Sequence, residues 1–173
     1  MGIINNAFNE LCLTANRNNY EFLLEADLCG WLFHKIINEL DENNQLHLDT
    51  RVNHSNEKYD IVIGNINYPD DGRPYIIPSF VAEVKIFPKF GFTQQQHNVH
   101  FHHIINDDLQ KLNNVNSAAL KIMAIMDGKN FLEGRCDNIN RLEYLKNKRD
   151  KITPKIKIYL LKQEENIWQY KIF

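Results

Sequence analysis

Apolar residues recur at three- and four-residue steps between residues 20 and 40, at Leu24, Leu28, Trp31, Leu32 and Ile36. No proline interrupts this stretch, so the spacing predicts an amphipathic helix, with Asn18 or Asn19 as a cap for its start. Residues 1–19 are polar and asparagine-rich, with one apolar cluster at 8–13, and predict a short helix packed on the body. The period then changes. Residues 46–54 alternate Leu48, Thr50 and Val52 with His47, Asp49, Arg51 and Asn53. Residues 59–64 read YDIVIG and residues 80–87 read FVAEVKIF. Alternation and β-branched or aromatic content predict three strands. The turn signal Pro69-Asp70-Asp71-Gly72 falls between the last two and predicts an extended loop over 64–79.

The pattern continues with a loop over 88–98 and a helix over 99–114 carrying Ile104, Ile105, Leu109 and Leu112. A buried strand is expected over 117–126, turned by Asp127-Gly128. A basic helix over 138–151 is built on Ile139, Leu142 and Leu145. Two closing strands, 155–162 and 167–173, flank the QEEN turn as a β-hairpin. Helices interleaved with strands predict an α/β fold, a central mixed sheet covered on its faces by helices.

Length and composition narrow this picture. With 173 residues the chain has room for one domain, spanning 1–173. Hydrophobic residues at 43% and charged residues at 24% support a buried core and exclude disorder by composition. No apolar run approaches the ~20 residues of a membrane span. The first residues lack the basic and apolar regions of a secretory leader, so none is expected. Cys12, Cys29 and Cys136 are widely spaced and form no CxxC pair, which suits a reducing, cytoplasmic setting. A net charge of -2 excludes a uniformly basic nucleic-acid binder. The charge is uneven, however. From Arg141 onward nine Lys/Arg face four Asp/Glu, while the rest of the chain holds 11 against 18. Such an end can hold a phosphate backbone beside a carboxylate-rich site, or be a solvated basic helix and strand.

The residues that carry chemistry are Asp60, in YDIVIG, and the Glu83-Val84-Lys85 triplet, in FVAEVKIF. Side chains alternate along a strand, so Glu83 and Lys85 share a face with Val81, and Ala82, Val84 and Ile86 share the other. A carboxylate and an ammonium on so apolar a strand need partners, because buried charge is costly unless paired or metal-bound. Neighbouring strands lie about 4.8 Å apart, which lets Asp60 and Glu83 share one divalent cation. Oxygen ligands of this kind suit Mg²⁺ or Mn²⁺. Glu25 lies three, seven and eleven residues before Leu28, Leu32 and Ile36, on or beside the apolar face of the first strong helix. Glu21, one turn earlier, is its rival. Asp127-Gly128-Lys129 is a second acidic-basic triplet, rejected because Asp-Gly signals a turn.

A helix glutamate, an aspartate opening a strand, Glu-x-Lys in the next strand, then a helix and a strand resemble the PD-(D/E)xK nuclease superfamily. The resemblance covers about residues 20–127 and implies the restriction endonuclease-like αβββαβ core, here followed by the C-terminal β-hairpin. Asp107-Asp108-Leu109-Gln110-Lys111-Leu112 is similar to the helix start that follows the Glu-x-Lys strand in several branches. Tyr59 stands where the family often has proline, and the spacing from Asp60 to Glu83 is long. The resemblance implies a metal-dependent nuclease hydrolysing phosphodiester bonds, a DNA endonuclease in the first instance. Asp60, Glu83 and the Val84 carbonyl would bind Mg²⁺ or Mn²⁺, and Glu25 a second ion or a metal-bound water. Lys85 would orient the attacking water. Lys89, Lys111, Lys146, Lys148 and Arg149 are candidate backbone contacts, and His100 and His103 candidate phosphate contacts. Many such enzymes act as homodimers. The alternative is a nuclease fold without catalysis, serving as a binding or assembly module. A third reading takes His97, His100, His102 and His103 as zinc ligands. No Walker loop, GxGxxG or nucleophile elbow is present.

Overall fold

The computed structural model describes residues 2–42, 44–52, 57–70, 72–88, 91, 93–115, 118, 120–136, 138–153 and 155–173. Two helices open the chain, α1 (Gly2–Asn18) and α2 (Glu25–Ile37). Three strands follow, β1 (Gln45–Arg51), β2 (Lys58–Asn67) and β3 (Tyr75–Phe87). A helical stretch runs as α3 (Gln94–His103), a π turn (Ile104–Asp108) and α4 (Leu109–Asn114), then β4 (Leu120–Asp127). A 3₁₀ turn at Phe131–Glu133 leads to the two-residue strands β5 (Arg135–Cys136) and β6 (Ile139–Asn140). The chain closes with α5 (Arg141–Ile152), β7 (Ile156–Glu164) and β8 (Ile167–Ile172).

Six strands form one mixed sheet in the order β1-β2-β3-β4-β7-β8. The β3–β4 and β4–β7 pairs are parallel; β1–β2, β2–β3 and β7–β8 are antiparallel. The expected α/β class, the mixed sheet with helices on its faces and the closing hairpin are all present. One apolar core lies between the sheet and α1 and α2, holding Phe8, Leu11, Leu28, Leu32, Ile36, Ile61, Ala82, Val84 and Ile86. The other lies under the helices from α3 to α5, with Val62, Val81, Phe87, Phe101, Ile104, Leu109, Met123, Ile125 and Leu145. Among the described residues no helix is long and apolar enough to cross a membrane.

Three elements differ from expectation. The segment before α2 is extended because Phe22 is buried there, edge-on to Tyr20, Trp31 and Trp168. The helix therefore starts at Glu25, and Asp27 Oδ2 caps it by accepting the Leu23 and Leu24 N–H groups at 3.0 Å. The asparagine-rich start is a full 17-residue helix, anchored by Asn16, which donates to Trp168 O and accepts from Trp168 N. Most of the expected 64–79 loop is strand. β2 continues to Asn67 and β3 begins at Tyr75, with a register shift at Ile63/Gly64. Gly64 is required at that shift, since a Cβ there would lie 2.3 Å from Ile77 O.

Candidate active site where two strands part

The β2–β3 ladder runs from Asn67–Tyr75 to Ile61–Ala82. Just beyond its end, Asp60 Oδ2 accepts the Val84 N–H at 2.7 Å. A side chain thus takes over from a backbone carbonyl, and the two strands part. Strict alternation also breaks here. Ile61 and Ile63 enter one core, whereas Tyr59 and Val62 both enter the other. Opposite this point Asp49, between the β1 partners of Ile61 and Tyr59, has φ +45°. These distortions aim the Asp60 carboxylate into the gap between strands.

Glu83 and Lys85 project to the face covered by α3 and α4, as alternation predicts. Glu83 is only 1% exposed, and Lys111 Nζ lies 2.6 Å from its Oε1. Lys111 also sits 4.9 Å over the Tyr59 ring, and the Tyr59 hydroxyl donates to Lys111 O at 3.1 Å. Lys85 Nζ stands 3.7 Å from Glu25 Oε2 and 3.7 Å from Asp108 Oδ2. Glu25 is the first residue of α2, which packs on the opposite face, so its side chain reaches Lys85 past the end of the sheet. His100 Nε2 meets Glu25 Oε1 at 2.9 Å. Charge therefore alternates through the cluster, with carboxylates from three elements interleaved with two ammonium groups and an imidazole.

The electrostatics follow from burial and neighbours. Burial and then the Asp60 charge push Glu83 up to about 8, with Lys111 pulling the other way. Burial also raises Asp108, against the pull of Lys85. At Lys85 burial opposes the charge, but Asp108, Glu25, Asp60 and Glu83 together outweigh it and hold the ammonium above its usual range. At Glu25 burial likewise opposes the charge, and the His100 contact and Lys85 bring the carboxyl below its usual value. At Asp108 burial prevails over the combined pull of Lys85, His103 and Lys111. Cys29, one turn after Glu25, has its thiol pushed up to about 12 by burial and then by Asp60 and Glu25, which makes it an unreactive wall.

The carboxylate oxygens are of the kind a hard divalent cation takes. Glu25 Oε1, Glu83 Oε1 and Asp108 Oδ2 are buried and, among the described residues, accept no hydrogen bond of good geometry. Each meets a cationic side chain instead. Buried carboxylates that repel one another gain most from a dication. Among the described residues, however, no three His, Cys, Asp or Glu side chains converge as a metal shell would. The carboxylates are drawn toward lysines, not toward a common point.

The other expected site residues are scattered. Lys89 lies outside the described residues. Lys146 pairs with Glu143 at 2.6 Å and lies over the Phe173 ring, and Lys148 lies over Tyr144. Arg149 is only 8% exposed, and its Nη1 donates to Ile156 O and Phe173 O, so it ties α5 to the sheet and is not a free phosphate contact. Lys111 is turned inward onto Glu83. Glu21 is exposed in the segment before α2. His103 pairs with Asp107 at 2.8 Å, and His97 is buried between Phe87 and Phe131, so these histidines face different partners. In the sequence Asp108 stands out only as part of an acidic-basic helix start, and sequence reasoning missed its place beside Lys85. Its signal was available, since it falls eight residues after His100 and four after Ile104, on the helix stripe that meets β3.

No family model matches the chain, and no curated protein matches it. Among solved structures it is similar to SfsA of Pyrococcus furiosus in complex with Ca²⁺, at 14% identity and a TM-score of 0.33. That alignment covers 85% of this chain and 62% of SfsA, so the chain spans less than two thirds of that protein's length.

Proposed function

We propose that the chain is a metal-dependent nuclease of the PD-(D/E)xK type, which hydrolyses phosphodiester bonds, with DNA as first substrate. One observation carries the reading: Lys85 stands among Glu25, Asp60, Glu83 and Asp108 at the point where β2 and β3 part. That is the motif's acid, acid and lysine gathered at one end of one sheet. Asp60, Glu83 and the Val84 carbonyl would hold Mg²⁺ or Mn²⁺, with Glu25 beside them. The ion would act as a Lewis acid on the scissile phosphate and lower the pKa of a water. Lys85, held in place by Glu25 and Asp108, orients the attacking water and faces the negative charge that develops on the phosphoryl oxygens. Asp60 fixes the Val84 backbone through its N–H, which keeps the two acidic strands in register.

The test is incubation of the full chain with supercoiled plasmid and with single-stranded DNA, in Mg²⁺, in EDTA and as Glu83→Ala. Cleavage confined to the wild-type protein with Mg²⁺ is expected. Cleavage that persists in EDTA or in Glu83→Ala would remove the proposal.

One observation favours a second reading, a nuclease fold without catalysis that serves as a binding or assembly module. Glu83 and Asp108 already have lysine counter-ions, and Glu25 has both Lys85 and His100. A protein of this second kind gains no heat stability from Mg²⁺ or Mn²⁺ and cuts neither DNA nor RNA. Gel filtration of either kind tests for a homodimer.

A further inference from the structure

The Lys111 ammonium occupies the position where a metal-binding Glu83 would need its cation. It lies 2.6 Å from Glu83 Oε1. It arrives from a different element, α4, and is steered by the Tyr59 ring 4.9 Å away, while the Tyr59 hydroxyl grips the Lys111 carbonyl. Glu83 is almost wholly buried, yet Lys111 keeps 22% of its side chain exposed. Lys111 also lines an open cavity of about 450 Å³ with Lys58, His103 and the acidic residues Glu57, Asp107 and Asp108. The ammonium therefore has room to leave Glu83 without any rearrangement of the core.

We infer that Lys111 is a resident counter-ion that competes with the divalent cation for Glu83, so that metal affinity is set by how readily the lysine swings out. This rests on the reading of Glu83 as a metal ligand. Two cations at contact distance from one buried carboxylate oxygen repel each other, so each weakens the other's hold. Removing the lysine must then strengthen metal binding, and metal binding must loosen the lysine by the same factor. The released ammonium would stand in the cavity beside the site, where the Glu57, Asp107 and Asp108 carboxylates can receive it. A lysine that merely stabilised the fold would behave differently, since its loss would weaken or leave unchanged the binding of metal.

The experiment titrates Mn²⁺ alone into the full chain by calorimetry, with free Mn²⁺ counted by electron paramagnetic resonance. Lys111→Met, Lys111→Gln, Lys111→Arg and Glu83→Gln are compared with the wild type. Both uncharged variants should bind Mn²⁺ about tenfold more tightly, the size of a typical coupling between competing ligands. Lys111→Arg, which keeps the charge, should stay within about twofold of the wild type, and Glu83→Gln should lose the binding. The use of two uncharged variants keeps the test decisive where one of them fails to fold. Unchanged or weaker binding in the folded uncharged variants overturns the inference, and so does an arginine variant that binds as tightly as they do. Glu83-dependent Mn²⁺ binding without cleavage of any nucleic acid removes the nuclease proposal and leaves this inference standing. Cleavage with unchanged affinity in the variants removes this inference alone. Absence of Mn²⁺ binding in every protein removes both.

Discussion

The two faces of the sheet solve opposite problems with the same strand. Toward α1 and α2, β3 presents Ala82, Val84 and Ile86, and the core there is apolar throughout. Toward α3 and α4 it presents Val81, Glu83, Lys85 and Phe87, so ions are embedded among aromatic and aliphatic side chains. The first face needs only shape and volume. The second must match each charge, because an unpaired ion in that position costs several kcal/mol, about 3–5 when one partner of a buried pair is removed. The covering helices therefore carry Asp108, Lys111 and His100, whereas α2 turns only its first residue, Glu25, toward the cluster. Both faces bury an apolar core, but the ions are gathered on one of them, and Glu25 reaches them where β2 and β3 part.

The contrast can be broken most severely by moving charge to the wrong face. Val84→Asp would bury an unpaired carboxylate in the apolar core, at a cost of about 5 kcal/mol or more, and the expected outcome is loss of the cooperative thermal transition. On the ionic face, Lys111→Met should cost about 3 kcal/mol by urea denaturation above about pH 8, where Glu83 is ionised and left without its partner. Adding Glu83→Leu to it should restore most of that loss, because the double variant has no stranded charge. A double variant no more stable than Lys111→Met would show that the pair is not what the face requires.

Burial of Glu83, and after it the Asp60 charge, set a pH dependence that Lys111 opposes. Glu83 is raised from 4.5 to about 8, so the folded protein binds more protons than the unfolded chain between those values. Its contribution is fully present below about pH 4.5 and is lost as pH rises through about 8. Stability curves of wild type and Glu83→Gln should therefore differ in slope across that window, with the variant flatter. Asp127 offers a milder contrast on the same face. Its two oxygens accept the Phe131 and Leu132 N–H groups at 2.8 Å each, so its charge is met by peptide dipoles. Asp127→Ala should cost about 1–3 kcal/mol in thermal or urea melts. The smallest effect belongs to the surface. Glu143→Ala, which loses the exposed Lys146 contact, should change stability by less than about 0.5 kcal/mol.

Legibility followed the range of the interaction. The face shared by Glu83 and Lys85 could be read from alternation alone, and helical spacing favoured Glu25 over Glu21, because both rest on backbone geometry repeated every few residues. The helix order around β1–β3 and β4 was legible for the same reason. The start of α2 was not, because burial of Phe22 against Trp31 and Trp168 overrode a helical pattern that extended five residues further. The strand content of 64–79 was hidden by the Pro69–Gly72 turn signal, which marked only the tip of the hairpin. Arg149 read as a nucleic-acid backbone contact because nothing local reveals that Ile156 O and Phe173 O will surround it.

By itself the sequence determined which side chains share a strand face or a helix stripe, since period two and period 3.6 are properties of the backbone. It determined too that one apolar strand carries a carboxylate and an ammonium that must find partners. Only the tertiary structure decided who those partners are. Lys111 on Glu83, Asp108 and Glu25 on Lys85, and Asp60 on the Val84 N–H each join segments brought together by strand pairing and helix packing. A charge's preference for an opposite charge is general, whereas the few ångströms that select one partner over another depend on the whole fold.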